Sequence, residues 1–185
     1  MTQAFFSDTY HQARDRFLAA MKAADPAELT SVPHPLSGPD SNPLATDICH
    51  FGALPGDARV RLILSSGTHG IEGYAGSAIQ TALLSAGLFK KLPDHVGVTL
   101  IHAINPFGFA HDRRVNEDNV DLNRNFLDHT SPYPENLNYR QLDEALNPTT
   151  LDDDSLAKTQ DMLIDFVKSH GMDAMRAAVS QGQYE

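Results

Sequence analysis

From Ser7 to about Met21, apolar positions Tyr10, Ala13, Phe17, Leu18 and Met21 recur at helical spacing, which predicts an amphipathic opening helix with Ser7 as its N-cap. The run PHPLSGPDSNP, residues 33–43, holds four prolines and one glycine and reads as an extended surface segment rather than a regular element. Two strands follow at about 46–52 and 59–66, joined by the turn signal LPGD. The second, RVRLILSS, is apolar enough to be central. Tyr74 to Leu84 reads as a well-covered helix ending near Gly87. VGVTLIHAIN, from Val96, is a further β-branched run expected to pair parallel to RVRLILSS, completing a right-handed βαβ unit. A long loop region then extends through Pro134, and helical patterns return at about 137–146, 155–169 and 172–180.

This order predicts an α/β fold: a three-layer α/β/α sandwich with a mixed, mainly parallel sheet. Two strong strands and one or two weaker ones are few for so many helices. The chain stops at SQGQYE directly after a helical pattern, so the expectation is a single N-terminal portion of a longer catalytic domain, spanning 1–185 and incomplete at its C-terminus.

Composition narrows the chemistry. The 185 residues suffice for one sizeable core, and 41% hydrophobic with 21% charged residues is ordinary for a globular domain. A net charge of −10 without a Lys/Arg cluster argues against nucleic acid as a partner. No window is apolar enough to span a bilayer, and MTQAFFSDTYHQARDRF lacks the features of a secretion signal, so no membrane association and a cytoplasmic location are expected. The acidic run Asp152, Asp153 and Asp154 reads as a solvated turn. Cys49 is the single cysteine; it falls in an alternating stretch, opposite in face to His50, and reads as an inert core thiol.

The stretch SSGTHGIEGYAG, residues 65–76, places His69 and Glu72 three apart among four glycines, just past a strand's end. Ligand sites in open α/β sheets form at such carboxyl ends. Imidazole nitrogen and carboxylate oxygen are both good zinc donors, bonding at roughly 2.0–2.2 Å, and a catalytic zinc typically takes three protein ligands and one water. The plainer alternative is an ordinary loop histidine and a glutamate placed favourably near a helix N-terminus. A second segment, INPFGFAHDRRVNEDNVDLNRNF, begins at the end of the other strong strand and carries Arg113, Arg114 and Arg124 with Asn116, Asn119, Asn123 and Asn125. Arginine forks match carboxylates in paired hydrogen bonds and also suit a developing oxyanion. Its alternative is a solvated polar turn with asparagines in left-handed conformations.

Together the two segments resemble the zinc carboxypeptidase (carboxypeptidase A-like) superfamily, and within it the bacterial branch classed as a domain of unknown function. The resemblance covers about residues 44–126 and rests on HxxE after a strand, NPxG, an arginine and DLNRNF. It implies His69 and Glu72 as two zinc ligands. It implies Asn123 and Arg124 as the pair holding a substrate's terminal carboxylate, and Arg114 as the arginine meeting the oxyanion, with Arg113 open as an alternative. The activity implied is zinc-dependent hydrolysis of an amide bond next to a free carboxylate, in a small peptide or an acylated amino acid. An aspartoacylase-like deacylase and a metal-free anion-binding module are the competing readings.

The third ligand and the general base of that family have no recognisable counterpart here. His102, in TLIHAIN, reads as a core or strand-end histidine; His111 and His129 could each approach the metal from the long loop but would be atypical ligands, and His170 does not sit in a context resembling the family's third ligand. Catalysis by these 185 residues is therefore expected to be impaired.

Overall fold

The computed structural model describes residues 2–128 and 130–182, which form two compact units, residues 1–117 and 118–185. The first opens with a short turn of helix at Thr2–Phe5 and continues as α1 (Tyr10–Ala24), β1 (Glu28–Ser37), β2 (Pro43–Gly52), β3 (Val60–Ser65), α2 (Gly73–Ser85), β4 (Val96–His102) and α3 (Pro106–Ala110). The expected opening helix is present, but Thr9 caps it in place of Ser7: the Thr9 hydroxyl accepts from the Gln12 amide at 3.2 Å.

The four strands form one mixed sheet in the order β1-β2-β4-β3. β3 and β4 pair parallel, from Val60 opposite Val96 to Ser65 opposite Ile101, which is the expected strand–helix–strand unit around α2. The other two pairings are antiparallel, so in this part of the molecule the parallel character is confined to β3–β4. β2 and β3, although joined by LPGD, do not pair; β4 lies between them. β4 is the more deeply buried, and the exposed side chains of Val60, Leu62 and Ile63 mark β3 as an outer strand in place of the central position expected for it.

The proline-rich segment is extended and exposed, as expected, yet its first part is a regular strand. β1 pairs with β2 from Glu28 opposite His50 to Pro33 opposite Ala45, and the register shifts between Pro33 and Ser37. An edge strand tolerates Pro33 and Pro35 because one side of its backbone needs no ladder partner. With no buried face, β1 shows none of the alternation that reveals β2.

The face of the sheet under α1 and α2 carries the core: Phe17, Met21 and Leu84 from the helices meet Cys49, Phe51, Val98 and Leu100 from β2 and β4. Completely burying a side chain such as Phe17 contributes roughly 2–3 kcal/mol. Cys49 is fully buried in this cluster, which suits the expected packing role, and burial pushes its thiol up to about 12. Arg14 of α1 makes two hydrogen bonds to Asp47 of β2, at 2.7 and 3.1 Å, and Asp47 is wholly buried. Removing Arg14 would leave that carboxylate uncompensated, a change typically costing about 3–5 kcal/mol.

The second unit holds α4 (Leu137–Leu146), α5 (Asp153–His170) and α6 (Met172–Ser180), packed through Leu142, Phe166 and Ala178. Asn136 caps α4 through the Tyr139 amide and donates to the carbonyls of Ala178 and Gly182, which ties α4 to the end of α6. The acidic run is a helix start rather than a free turn. Asp152 accepts from the Ser155 amide at 2.8 Å, and Asp153 and Asp154 occupy the first turn, where carboxylates face the positive end of the helix dipole.

Candidate functional site

β3 and β4 do not part at their last ladder residues. The Ser66 amide donates to Ile101 O, that of Ile104 to Ser66 O and that of Asn105 to Gly67 O, so the two chains run together for several residues past the sheet. Gly67 takes a positive φ of 64°, and a Cβ there would lie 2.7 Å from that of Ala103. The HGIE turn leaves from this point and feeds α2.

The sequence spacing becomes contact: His69 Nδ1 and Glu72 Oε2 lie 3.0 Å apart. The two side chains differ in access, His69 being 8% exposed and Glu72 65%. The pair therefore offers one fixed donor and one that opens to solvent. Glu72 stands at the N-cap of α2 with no capping hydrogen bond from its side chain, which leaves its carboxylate for His69.

Gly70 sets the turn against the second segment. Its amide donates to the Arg113 carbonyl at 3.0 Å, and a Cβ at position 70 would lie 2.0 Å from the Gly108 carbonyl group. No side chain fits there, so glycine is a steric requirement. α3 is the NPFG turn itself: the Asn105 side chain accepts from the Gly108 amide at 2.7 Å, and Pro106 takes the first helical position, where a missing N–H costs nothing. The Arg113 carbonyl is a contributor that sequence reasoning assigned no role, because backbone groups carry no signal in a motif.

Arg114, in the same unit, is exposed; Arg113 is partly buried, with its guanidinium 6.0 Å over the Phe107 ring. Asn123 and Arg124 belong to the second unit and are both exposed. There Arg124 donates from Nε to Ser180 O at 3.1 Å and from Nη1 to Asn123 O at 3.2 Å, and the Asn123 amide donates to the Asp121 carboxylate at 2.9 Å. The geometry thus joins His69 to Glu72 and ties their turn to the RR segment.

No further donor completes a metal site: among the described residues no group of three or more His, Cys, Asp or Glu side chains could hold an ion. His102 is fully buried, 2.8 Å from the Ser77 hydroxyl and stacked on Phe17, in line with a core role. His111 stacks on Phe107, and His170 stacks on Phe166 within the second unit. His129 lies outside the described residues. No described helix is long and apolar enough to cross a membrane.

The family model of DUF2817, a protein of unknown function, matches residues 6–185. The chain belongs to the DUF2817 family. Carboxypeptidase SOL1 of Arabidopsis thaliana is 39% identical over 54 residues, covering 29% of this chain and 11% of that protein. Among solved structures, the glutaminyl cyclase of Tannerella forsythia is similar at 13% identity, over 73% of this chain and 55% of that one, with a TM-score of 0.41. The glutaminyl cyclase of Porphyromonas gingivalis has 13% identity, 76% and 46% coverage and a TM-score of 0.37. A Zn-dependent exopeptidase of Parabacteroides distasonis has 15% identity, 80% and 53% coverage and a TM-score of 0.35. The chain thus spans about half the length of these solved structures and a small part of the carboxypeptidase. At such TM-scores the structural likenesses carry no argument about the site.

Proposed function

We propose that the HGIE turn is the metal-binding part of a cytoplasmic, zinc-dependent hydrolase of the metallocarboxypeptidase type, acting on an amide bond adjacent to a free carboxylate. The observation that carries this reading is the 3.0 Å approach of His69 Nδ1 to Glu72 Oε2. Two donors bonded at roughly 2.0–2.2 Å to a tetrahedral ion stand about 3.3–3.6 Å apart, so a separation of a few tenths of an ångström more would admit zinc in place of the shared proton. The short identity with a plant carboxypeptidase is in keeping with this class.

Zinc held by His69 and Glu72 would polarise the scissile carbonyl and lower the pKa of a bound water. Arg114 is the proposed partner of the developing oxyanion, and its exposure leaves it accessible. The carboxylate-holding role of Asn123 and Arg124 is proposed on the DLNRNF string alone. A peptide C-terminus and an N-acyl amino acid both present the required carboxylate, so both belong to the substrate class. In this reading residues 1–185 are one portion of the catalytic domain.

A second reading is favoured by the donor count: with no group of three or more candidate donors among the described residues, the turn is a metal-free element of an anion-binding module. Equilibrium dialysis with metal analysis separates the two. The enzyme reading expects zinc bound at one per chain, weakly for want of a third ligand, and lost in His69→Ala and in Glu72→Ala. No zinc above background in the folded protein would leave the binding module standing. Full, chelator-sensitive hydrolysis of a blocked dipeptide by this chain, abolished by His69→Ala, would contradict the expected catalytic impairment.

A further inference from the structure

The HGIE turn is a loop with two stems, the end of β3 on one side and α2 on the other. At the β3 stem the Ser66 amide is tied to Ile101 O. α2 then comes back over that same stem. Gly76 and Gln80, four apart and therefore on one face of the helix, both meet it. A Cβ at Gly76 would lie 2.8 Å from the Ser66 Cβ, so only glycine allows this approach. One turn further on, the Gln80 side chain accepts from the Ser66 hydroxyl at 3.0 Å and donates from Nε2 to Leu64 O at 2.9 Å and to Ile101 O at 3.1 Å. One buried amide thus holds the ends of both parallel strands and the helix that the turn feeds.

A glutamine on a helix of small and aliphatic residues is an expensive way to fill space. A buried amide must satisfy nearly every donor and acceptor to be tolerated, and both Gln80 Nε2 hydrogens and its oxygen are used here. An aliphatic residue would pack as well. What it could not do is fix the spacing between the stems, because dispersion contacts have no direction and hydrogen bonds to two neighbouring carbonyls do.

We infer that Gln80, with Ser66, is a positioning residue that sets the geometry of the His69–Glu72 pair by locking both stems of its turn. Gln80 lies eight residues beyond Glu72 and two turns into α2, and it acts through the backbone. The inference deepens the zinc reading and rests on it only for its metal-binding consequence.

The test uses the 185-residue chain with Gln80→Met, which keeps volume and removes the polar group, and Ser66→Ala, a milder change that keeps the core filled. Two readouts are taken under conditions where each variant is fully folded by near-UV circular dichroism. The first is hydrogen exchange at the Gly70 amide, which reports the turn's contact with Arg113 and needs no metal. Exchange at Gly70 is expected to accelerate at least tenfold more than exchange at Leu100 in β4, whose protection follows global stability. Equal acceleration at the two amides, in the variant or variants that fold, would reduce Gln80 to a core residue and overturn the inference. The second readout is the zinc dissociation constant of the folded protein, expected to rise about tenfold in Gln80→Met and about threefold in Ser66→Ala. Unchanged zinc affinity in folded variants would also overturn it. If the unaltered chain binds no zinc, the metal reading fails on its own, and the exchange comparison still decides whether Gln80 holds the turn.

Discussion

One histidine ends β4 and another lies in the turn after β3, its parallel partner, and their surroundings are opposite. His69, just past β3, is nearly buried, yet it faces a carboxylate that is 65% exposed. His102, the last residue of β4, is sealed completely, stacked on Phe17 at 4.5 Å and set beside the Ser77 hydroxyl, with its Nδ1 atom lacking any hydrogen-bond partner. Burial drives the His102 pKa down to about 4, with the nearby Asp47 carboxylate only partly opposing the shift. Depth of burial alone therefore does not single out the histidine proposed to bind metal. What distinguishes the two is the second group: a charged side chain open to solvent at His69, a neutral hydroxyl inside the core at His102.

The largest effect that could break this contrast is on stability in mild acid. His102 has a folded-state pKa depressed below its ordinary value of 6.5, so above pH 6.5 both folded and unfolded chains leave it neutral and its contribution is intact. As the pH falls from 6.5 toward 4, the unfolded chain takes up a proton that the folded chain refuses, and stability is lost. The expected loss is up to about 3 kcal/mol, complete near pH 4, where the folded form titrates as well. Urea denaturation across this range should show the loss in the unaltered chain and a much smaller one in His102→Gln. The same slope in both would assign the acid sensitivity to the carboxylates instead.

A smaller effect is expected from Ser77→Ala, which leaves His102 Nε2 without its partner inside the core. Destabilisation of about 1–3 kcal/mol at pH 7.5, by the same denaturation, matches the cost of one unsatisfied buried group. A neutral result would mean that the imidazole finds another partner. The smallest is Glu72→Gln, an exposed position where the chain should change in stability by no more than about 0.5 kcal/mol. The loss of zinc binding expected there, without a loss of stability, would separate the histidine proposed to bind metal from the one buried in the core. A drop in stability as large as that of Ser77→Ala would show that the His69–Glu72 contact is architecture after all.

The strand–helix–strand unit and the three C-terminal helices were legible because each carries its own period. α1, α4, α5 and α6 repeat apolar residues at helical spacing, β2 alternates, and β4 is an apolar run bounded by turns. β1 was missed as a strand because all of its residues but His34 are exposed, so no alternation was written into it, and its prolines argued against a ladder that only an edge position permits. The place of β3 was misread for a related reason. VRLILS is as apolar as a central strand, but composition records only how well a segment tolerates burial, not which neighbours it obtains.

The candidate site divides in the same way. The sequence by itself determined the chemistry on offer: a histidine and a glutamate three apart after a strand, glycines where side chains cannot fit, and an Arg/Asn segment beginning at the end of the next strong strand. Local spacing suffices for these, because three residues between a strand end and a helix start bring the two side chains to one point almost irrespective of what surrounds them. Only the tertiary structure decided that SSGTHGIEGYAG is clamped from both sides, by Arg113 O at Gly70 and by Gln80 at Ser66. It also decided that His69 opens toward Glu72 while His102 closes into the core. The two clamping contacts join residues 43 and 14 positions apart, and the first ends on a backbone carbonyl. A carbonyl is identical at every residue, so no pattern of side chains along a chain can say which one will be used.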